Sequence, residues 1–551
     1  MIKTSTTAVF IAIILCFSAL QKIYPQEIQQ QPCEVLKYKL NLDIYGCFVK
    51  PFPHSFSGSS EMTIVADTLM NSLQLNAESY SLKIDSISPS DFKYSHKWNT
   101  LTITLDRYYY KDDTVTFTIY FHHKDVFDEA FYTEAFYTGN GLVYTDCESR
   151  KARRWFPCID DPSKKALLEL TAKVPSNIKF GSNGYLADST ADGDTTFYHW
   201  ISPEPIATYL IAVAGCTRYN LDIMNWDDNG RNIPIRFYYK PWENMDSLKN
   251  IKDIIIPLAQ YFSSLFGDYP FDKIGFATTD SLFLWGGMEN QTMILICPHC
   301  WQESLIAHEF AHQWFGDMIS PRSWADIWLN EGFATYCEAL WAEHTGGYKF
   351  YKEVIEKDAY EYQFYNPGTP IYSDDWVSNP PSDEILFNPP TSYDKAGCVL
   401  HMLRYVIGDS LFFKTLRDYA LDPNFRFGNA STADFIDLVN NTAGTNLTWF
   451  FDEWLKTPNH PVYSNTYKFT EVSDNNWQVS LRIRQTQRVK FFSMPVEIRV
   501  FFVGAPDTTL IIKNDMNNQQ FIFNFRHEPR SLIFDPYDNI VLKEVNTKRE
   551  E

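Results

Sequence analysis

The spacing of the apolar residues changes twice along this chain, and those changes limit the folds open to it. From about residue 38 to 220, apolar and polar side chains alternate, as in Tyr38, Leu40, Leu42 and Ile44 and again in Val115, Phe117, Ile119 and Phe121. A period of two gives each strand one core face and one solvent face. Turn-forming clusters such as GSNG (181–184) and DSTADGD (188–194) separate the runs. The pattern predicts an N-terminal antiparallel β domain over residues 28–219. From 220 to 457 the spacing becomes helical, in IKDIIIPLAQYFSSLF, DKAGCVLHMLRYVIG and STADFIDLVNNTAG, the last with Ser431 placed to cap it. The segment KTPNHP breaks that pattern. Alternation then returns in Val479, Leu481 and Ile483, in Val496, Ile498 and Val500, and in Phe521, Phe523 and Phe525. This predicts a C-terminal β-sandwich over 459–545. At 551 residues the chain is too long for one core. The expected class is therefore multidomain α+β, with a mainly helical middle domain.

The first residues read as a secretory signal over 1–24: Lys3, an apolar run from Ala8 to Leu20, and polar residues from Gln21 onward. Leu15 before Cys16 is larger than lipoprotein processing prefers. No later apolar run is long enough to span a bilayer, so the mature chain is expected to be exported, periplasmic or extracellular, without a transmembrane span. A formal net charge of −20 argues against a nucleic-acid partner, because phosphates would be repelled over most of the surface. The ten cysteines have no regular spacing. Cys297 and Cys300, in CPHC, lack the second pair that a zinc knuckle needs, which leaves a local disulfide or two packed thiols.

The chemistry starts at HEFAH, residues 308–312. On a helix, positions four apart share a face, so His308 and His312 can address one metal ion. Glu309, one position on from the first histidine, is placed to act as a base on water rather than as a ligand. Five residues of this kind also arise by chance. Beyond His312, however, eighteen residues intervene before Glu331, which lies near the start of another helical stretch, WADIWLNEGFATYCEALWAEHTGG. Two histidines and a glutamate give Zn2+ three protein ligands and leave a fourth position open to water, the arrangement of a catalytic site. Glu338, two turns beyond Glu331 on the same face, is either a partner for a ligating histidine or a surface charge.

Upstream stands WGGMENQT, in which Gly286 and Gly287 leave backbone open to an extended substrate and Glu289 adds a carboxylate. Downstream stands TSYDKAG, whose tyrosine could donate to an oxyanion. Taken together and in this order, GGMEN, HEFAH, WLNEGFA and SYDKAG resemble the gluzincin aminopeptidases, the relatives of aminopeptidase N and leukotriene hydrolase. The likeness extends to ARRWFPCIDDP and FGDYPFDKIGF and covers nearly the whole mature chain.

The resemblance implies a zinc-dependent aminopeptidase with a thermolysin-like middle domain, acting on peptides with a free N-terminus. It implies one Zn2+ per chain, held by His308, His312 and Glu331, with Glu309 activating the water and Tyr393 stabilising the oxyanion. Glu289 would hold the substrate's α-ammonium, and the Gly286–Met288 backbone would line the peptide, with Met288 near the first side-chain pocket. A second amine anchor falls fourteen residues before the proline of the D-x-P stretch; counting back from Pro162 reaches Glu148. The alternatives are a thermolysin-like endopeptidase, which would need no such anchors, and a catalytically silent relative, which would ordinarily have lost a ligand or the base. Many relatives carry a helical domain after the sandwich. The chain given ends at Glu551, so a short form with a more open chamber is expected, and lipid-epoxide chemistry is not.

Overall fold

The structure is a computed structural model that describes residues 31–126 and 135–550; the expected signal segment 1–24 lies outside the described residues. The N-terminal region is built around a seven-stranded sheet ordered Tyr185–Asp192, Thr195–Ile206, Ala166–Pro175, Cys33–Asp43, Phe56–Ala66, Thr114–His123 and Leu82–Ser88. Its pairings are antiparallel except for one: Cys33–Asp43 runs parallel to Ala166–Pro175. Strands joined by so long a stretch of chain need no hairpin, so the parallel pair is free to form. The alternating residues read from the sequence are the buried ones. Tyr38, Leu40, Leu42 and Ile44 point into the core, as do Val115, Phe117, Ile119 and Phe121. A smaller four-stranded sheet, which includes Leu142–Thr145, leads into the loop that carries Glu148.

The middle region opens with strands, not with a helix. Asn220–Asp228, Arg231–Tyr239, Ile274–Thr278, Ile294–Ile296 and Gly287–Met288 form a five-stranded mixed sheet in that order. Both faces of this sheet are covered. Phe237, Phe276, Ile294 and Ile296 pack into the helical core, whereas Tyr238, Ala277, Met288 and Leu295 pack into the N-terminal core. A two-sided sheet reads as a near-continuous apolar run, and its period is lost. Gly287–Met288 is its edge strand, antiparallel to Ile294–Ile296.

The helices that matter for the site are α1 (Met245–Phe266), α2 (Glu303–Ala311), α3 (Trp328–Gly346), α4 (Tyr348–Tyr365) and α5 (Ala396–Ile407). α1 begins at Asn244, whose side chain accepts from Ser247 N, and buries a stripe from Leu248 to Phe266. Ser431 caps the later helix Thr432–Ala443 through a reciprocal pair with Asp434, as the sequence predicts. A seven-residue π-helical turn, Pro389–Lys395, precedes α5. After it come a four-stranded and a three-stranded sheet over 462–549. Val479, Leu481 and Ile483 on one sheet and Val496, Ile498 and Val500 on the other are fully buried. They belong to the same continuous core as the helices, so the C-terminal strands brace the helical layer. Phe521, Phe523 and Phe525 alternate as expected but are only half-buried. Among the described residues no helix is long and apolar enough to cross a membrane.

Candidate active site

Helix α2 is buried from Ile306 to Ala311, because this part lies between the five-stranded sheet and α3. Burying a helix that carries two histidines and a glutamate is costly unless their polar atoms find partners. They do. His308 and His312 sit one turn apart, with ring centroids 4.9 Å apart. Their Nε2 atoms converge on Glu331 Oε2 from α3, at 3.3 Å and 3.4 Å. The opposite nitrogens are held from behind. His308 Nδ1 lies 3.0 Å from Glu338 Oε1, and His312 Nδ1 lies 3.0 Å from the Phe315 carbonyl. With each Nδ1 committed as donor, each Nε2 is the nitrogen left to serve as a metal ligand at the shared point. The three ligand atoms lie within 4.8 Å of one another, and this donor set fits a tetrahedral zinc.

Glu309 faces the edge strand. A β-carbon on Gly287 would fall 2.2 Å from Glu309 Oε1, so only glycine lets the strand and the carboxylate approach this closely. Burial pushes the Glu309 carboxyl up to about 8, against the pull of His308 and His312. Burial also works to raise Glu331, but the same two histidines prevail and hold it down at about 2.

Glu289 follows the edge strand and is buried, as is Met288 before it. One carboxylate oxygen from each of Glu148, Glu289 and Glu331 falls within a 4.8 Å cluster; so do Glu289, Glu309 and a nitrogen of His312. Glu148 Oε1 and Glu289 Oε1 are buried without a hydrogen-bond partner. Burial, then the charge of Glu289, then that of Glu331, drives the Glu148 carboxyl well above the usual range; Glu289 is also raised, chiefly by burial. Two buried carboxylates left bare beside a third are a strong sink for a cation. Glu148 itself is fixed through its neighbour, since Ser149 Oγ donates to Asp383 Oδ1 at 2.9 Å. Trp285 Nε1 donates to Asp146 Oδ2 at 3.2 Å, tying the two carboxylate-bearing segments together.

Tyr393 sits in the π-helical turn, and its ring lies nearly parallel to that of His308, with centroids 6.0 Å apart. Burial first, then Glu331 and Glu148, hold its hydroxyl well above the ordinary tyrosine range, so it is a proton donor. The start of α5, directly after the turn, can pack so close to α3 because Gly332 has no side chain: a β-carbon there would lie 2.5 Å from Ala396 Cβ. The structure thus gathers His308, Glu309, His312, Glu331, Glu289, Glu148, Tyr393 and the Gly286–Met288 backbone around one space. Sequence reasoning missed the Phe315 carbonyl and the part played by Gly332, because a backbone acceptor and a close approach leave no residue-type signature. Cys297 and Cys300 form a disulfide at the end of strand Ile294–Ile296; the other described cysteines are buried and free.

Comparison with known proteins agrees with this geometry. The Peptidase family M1 domain matches residues 247–454, and the Peptidase M1 N-terminal domain matches residues 35–210. Probable aminopeptidase 1 of Saccharolobus solfataricus is 27% identical over 361 residues, which is 61% of this chain and 44% of that protein. Aminopeptidase 2 of Candida albicans is 26% identical over 476 residues, 79% of this chain and 49% of that one. The chain therefore spans less than half the length of the curated relatives it matches. Among solved structures, a variant of an M1 zinc metallopeptidase from Deinococcus radiodurans, bound to a Tyr-Ser-Ala substrate, shares the fold at TM-score 0.68 and 22% identity. That match covers 79% of this chain and 96% of that one. Aminopeptidase A of Legionella pneumophila, in complex with aspartic acid, gives TM-score 0.74 at 18% identity, over 95% of this chain and 60% of that one. The two family matches between them take in well over half of the sequence, both parts of the site included: this chain belongs to peptidase family M1.

Proposed function

We propose that this chain is a zinc-dependent aminopeptidase that hydrolyses the first peptide bond of peptides with a free N-terminus. The observation that carries the reading is the clustering of Glu148 and Glu289, both with a buried, bare oxygen, beside the His308–His312–Glu331 set. Zinc ligands alone would suit any hydrolase of this kind. Two carboxylates a short way from them supply what an exopeptidase needs, a counter-charge at a fixed distance from the scissile carbonyl. A blocked N-terminus would leave both carboxylates desolvated and unpaired, and the site would reject it.

In this reading His308, His312 and Glu331 hold one zinc ion. When bound, the ion supplies Lewis acidity, polarising a carbonyl and bringing the pKa of water to about 7. Glu309 takes the proton of the attacking water and passes it to the leaving amine. The Tyr393 hydroxyl donates to the oxygen on which negative charge develops. The backbone of Gly286, Gly287 and Met288 pairs with the extended peptide, with Met288 beside its first side chain. Residues 220–457 then act as a thermolysin-like catalytic unit between an N-terminal β unit (28–219) and a C-terminal β-sandwich (459–545). The run Ala8–Leu20 after Lys3 supports export to the periplasm or the extracellular space. The test is hydrolysis of leucyl-p-nitroanilide by the purified protein. Activity should vanish on dialysis against a strong chelator and return with one equivalent of zinc; hydrolysis that survives complete metal removal refutes the proposal.

A further inference from the structure

The turn that carries Glu289 closes one backbone bond of its own, Met293 N to the Asn290 carbonyl at 2.7 Å, and takes the rest of its support from outside. Thr292, at its end, has φ +62°, a left-handed backbone that a β-branched residue adopts only when its surroundings enforce it. The enforcement comes from two sides. On the first stands Gln313, buried, the residue directly after His312. Its Nε2 donates to the Glu289 carbonyl at 3.0 Å, and its Oε1 accepts from Thr292 N at 2.9 Å. The Tyr269 hydroxyl, which donates to the Lys273 carbonyl at 2.9 Å, lies 3.4 Å from the same Oε1. On the second side stands GSNG, which the sequence alone presents as a strand-separating turn. Asn183, also buried, donates through Nδ2 to the Gln291 carbonyl at 2.7 Å and to the Leu210 carbonyl at 2.9 Å. Its Oδ1 accepts from Ala212 N at 2.7 Å. Gly184 N donates to Thr292 Oγ1 at 2.7 Å. A primary amide is the side chain that can bridge a carbonyl and an N–H at once, and each side of the turn has one.

We infer that Gln313 and Asn183 are positioning residues which clamp the Glu289–Thr292 turn from opposite sides and set where the amine-anchoring carboxylate stands relative to the metal ligands. Gln313 is bonded covalently to His312, so one rigid element fixes both ends of the distance an aminopeptidase must measure. Asn183 makes that distance depend on the N-terminal β region as well. The inference rests on the aminopeptidase reading above, and the experiment separates the two.

Gln313→Leu, Gln313→Glu and Asn183→Asp are made in the full chain and loaded with zinc. Each is assayed for KM and kcat on leucyl-p-nitroanilide, and for inhibition by L-leucine, which carries an α-ammonium, and by acetohydroxamate, which binds metals but has no amine. All three variants should raise KM and weaken L-leucine by about tenfold or more, the cost of leaving buried partners unpaired. Acetohydroxamate inhibition and zinc content should stay within about twofold of wild type. Gln313→Glu keeps the acceptor for Thr292 N and should be milder than Gln313→Leu. Equal weakening of both inhibitors, or loss of zinc, would assign these residues a general structural role and overturn the clamp; so would unchanged inhibition by L-leucine. If Gln313→Leu does not fold, the two near-isosteric variants decide. A wild-type protein indifferent to the amine of its ligands sinks the aminopeptidase reading, and the clamp with it. A discriminating wild type whose variants discriminate equally well sinks the clamp alone.

Discussion

The contact between Gly287 and Glu309 yields a prediction whose size can be worked from distances. Gly287 has no positive φ, so alanine is allowed there by the backbone and the cost of Gly287→Ala falls on what the new methyl meets. It would lie 2.2 Å from Glu309 Oε1, 2.3 Å from Cδ and 2.5 Å from Cγ, where ordinary contact begins at 3.4 Å. The carboxylate or the edge strand must therefore retreat by roughly 1.2 Å, and a reacting group displaced by about 1 Å costs on the order of 100-fold in rate. We expect kcat on leucyl-p-nitroanilide to fall about 100-fold, with zinc content and Tm close to wild type. Gly139→Ala, where nothing lies within 4 Å of the new methyl, serves as the control and should be silent. Added to Glu309→Gln, the Gly287→Ala change should cost little more, because both act through one carboxylate. If Gly287→Ala keeps activity within about threefold of wild type, Glu309 is not the proton acceptor at that spot.

Two further outcomes follow from the groups behind the site. Glu338→Ala removes the carboxylate 3.0 Å from His308 Nδ1 and should weaken zinc affinity by about 10–100-fold in a chelator competition; unchanged affinity would show that His308 needs no such partner. His401 is buried on α5 with Nδ1 2.6 Å from the Tyr351 hydroxyl, and burial pulls its pKa from 6.5 down to about 3. The unfolded chain takes up a proton below 6.5 that the folded chain refuses. The stability this group confers is therefore whole above that pH and is lost as the pH falls toward 3, at up to about 1.4 kcal/mol per pH unit. His401→Gln should flatten the decline of Tm across this window, and an unchanged pH profile would contradict the assignment.

What the sequence conveyed and what it withheld divide along physical lines. Strand alternation in Tyr38–Ile44 and Val479–Ile483 was legible because one face of each strand meets solvent. The five-stranded sheet was not, because Phe276 and Ala277 face two different cores and the period disappears. The metal set was legible because helical geometry turns a spacing of four into a shared face. Glu338 could be offered as a partner for a ligating histidine or as a surface charge, and the packing of α2 on α3 sets it against His308. Gln313, Asn183 and Gly332 act through contacts between segments distant in sequence, and nothing in their neighbours announces it. For Cys297 and Cys300 spacing left two readings open, and the fold of the loop decided for the disulfide.

The central claim is that two carboxylates direct a hydrolytic metal site to the first bond of a peptide. Cleavage of leucyl-p-nitroanilide against N-acetyl-leucyl-p-nitroanilide measures it most directly. A free amine should be favoured by at least about 1,000-fold in kcat/KM, since acetylation removes the charge and leaves Glu148 and Glu289 buried and unpaired. Comparable cleavage of the two substrates would contradict the account.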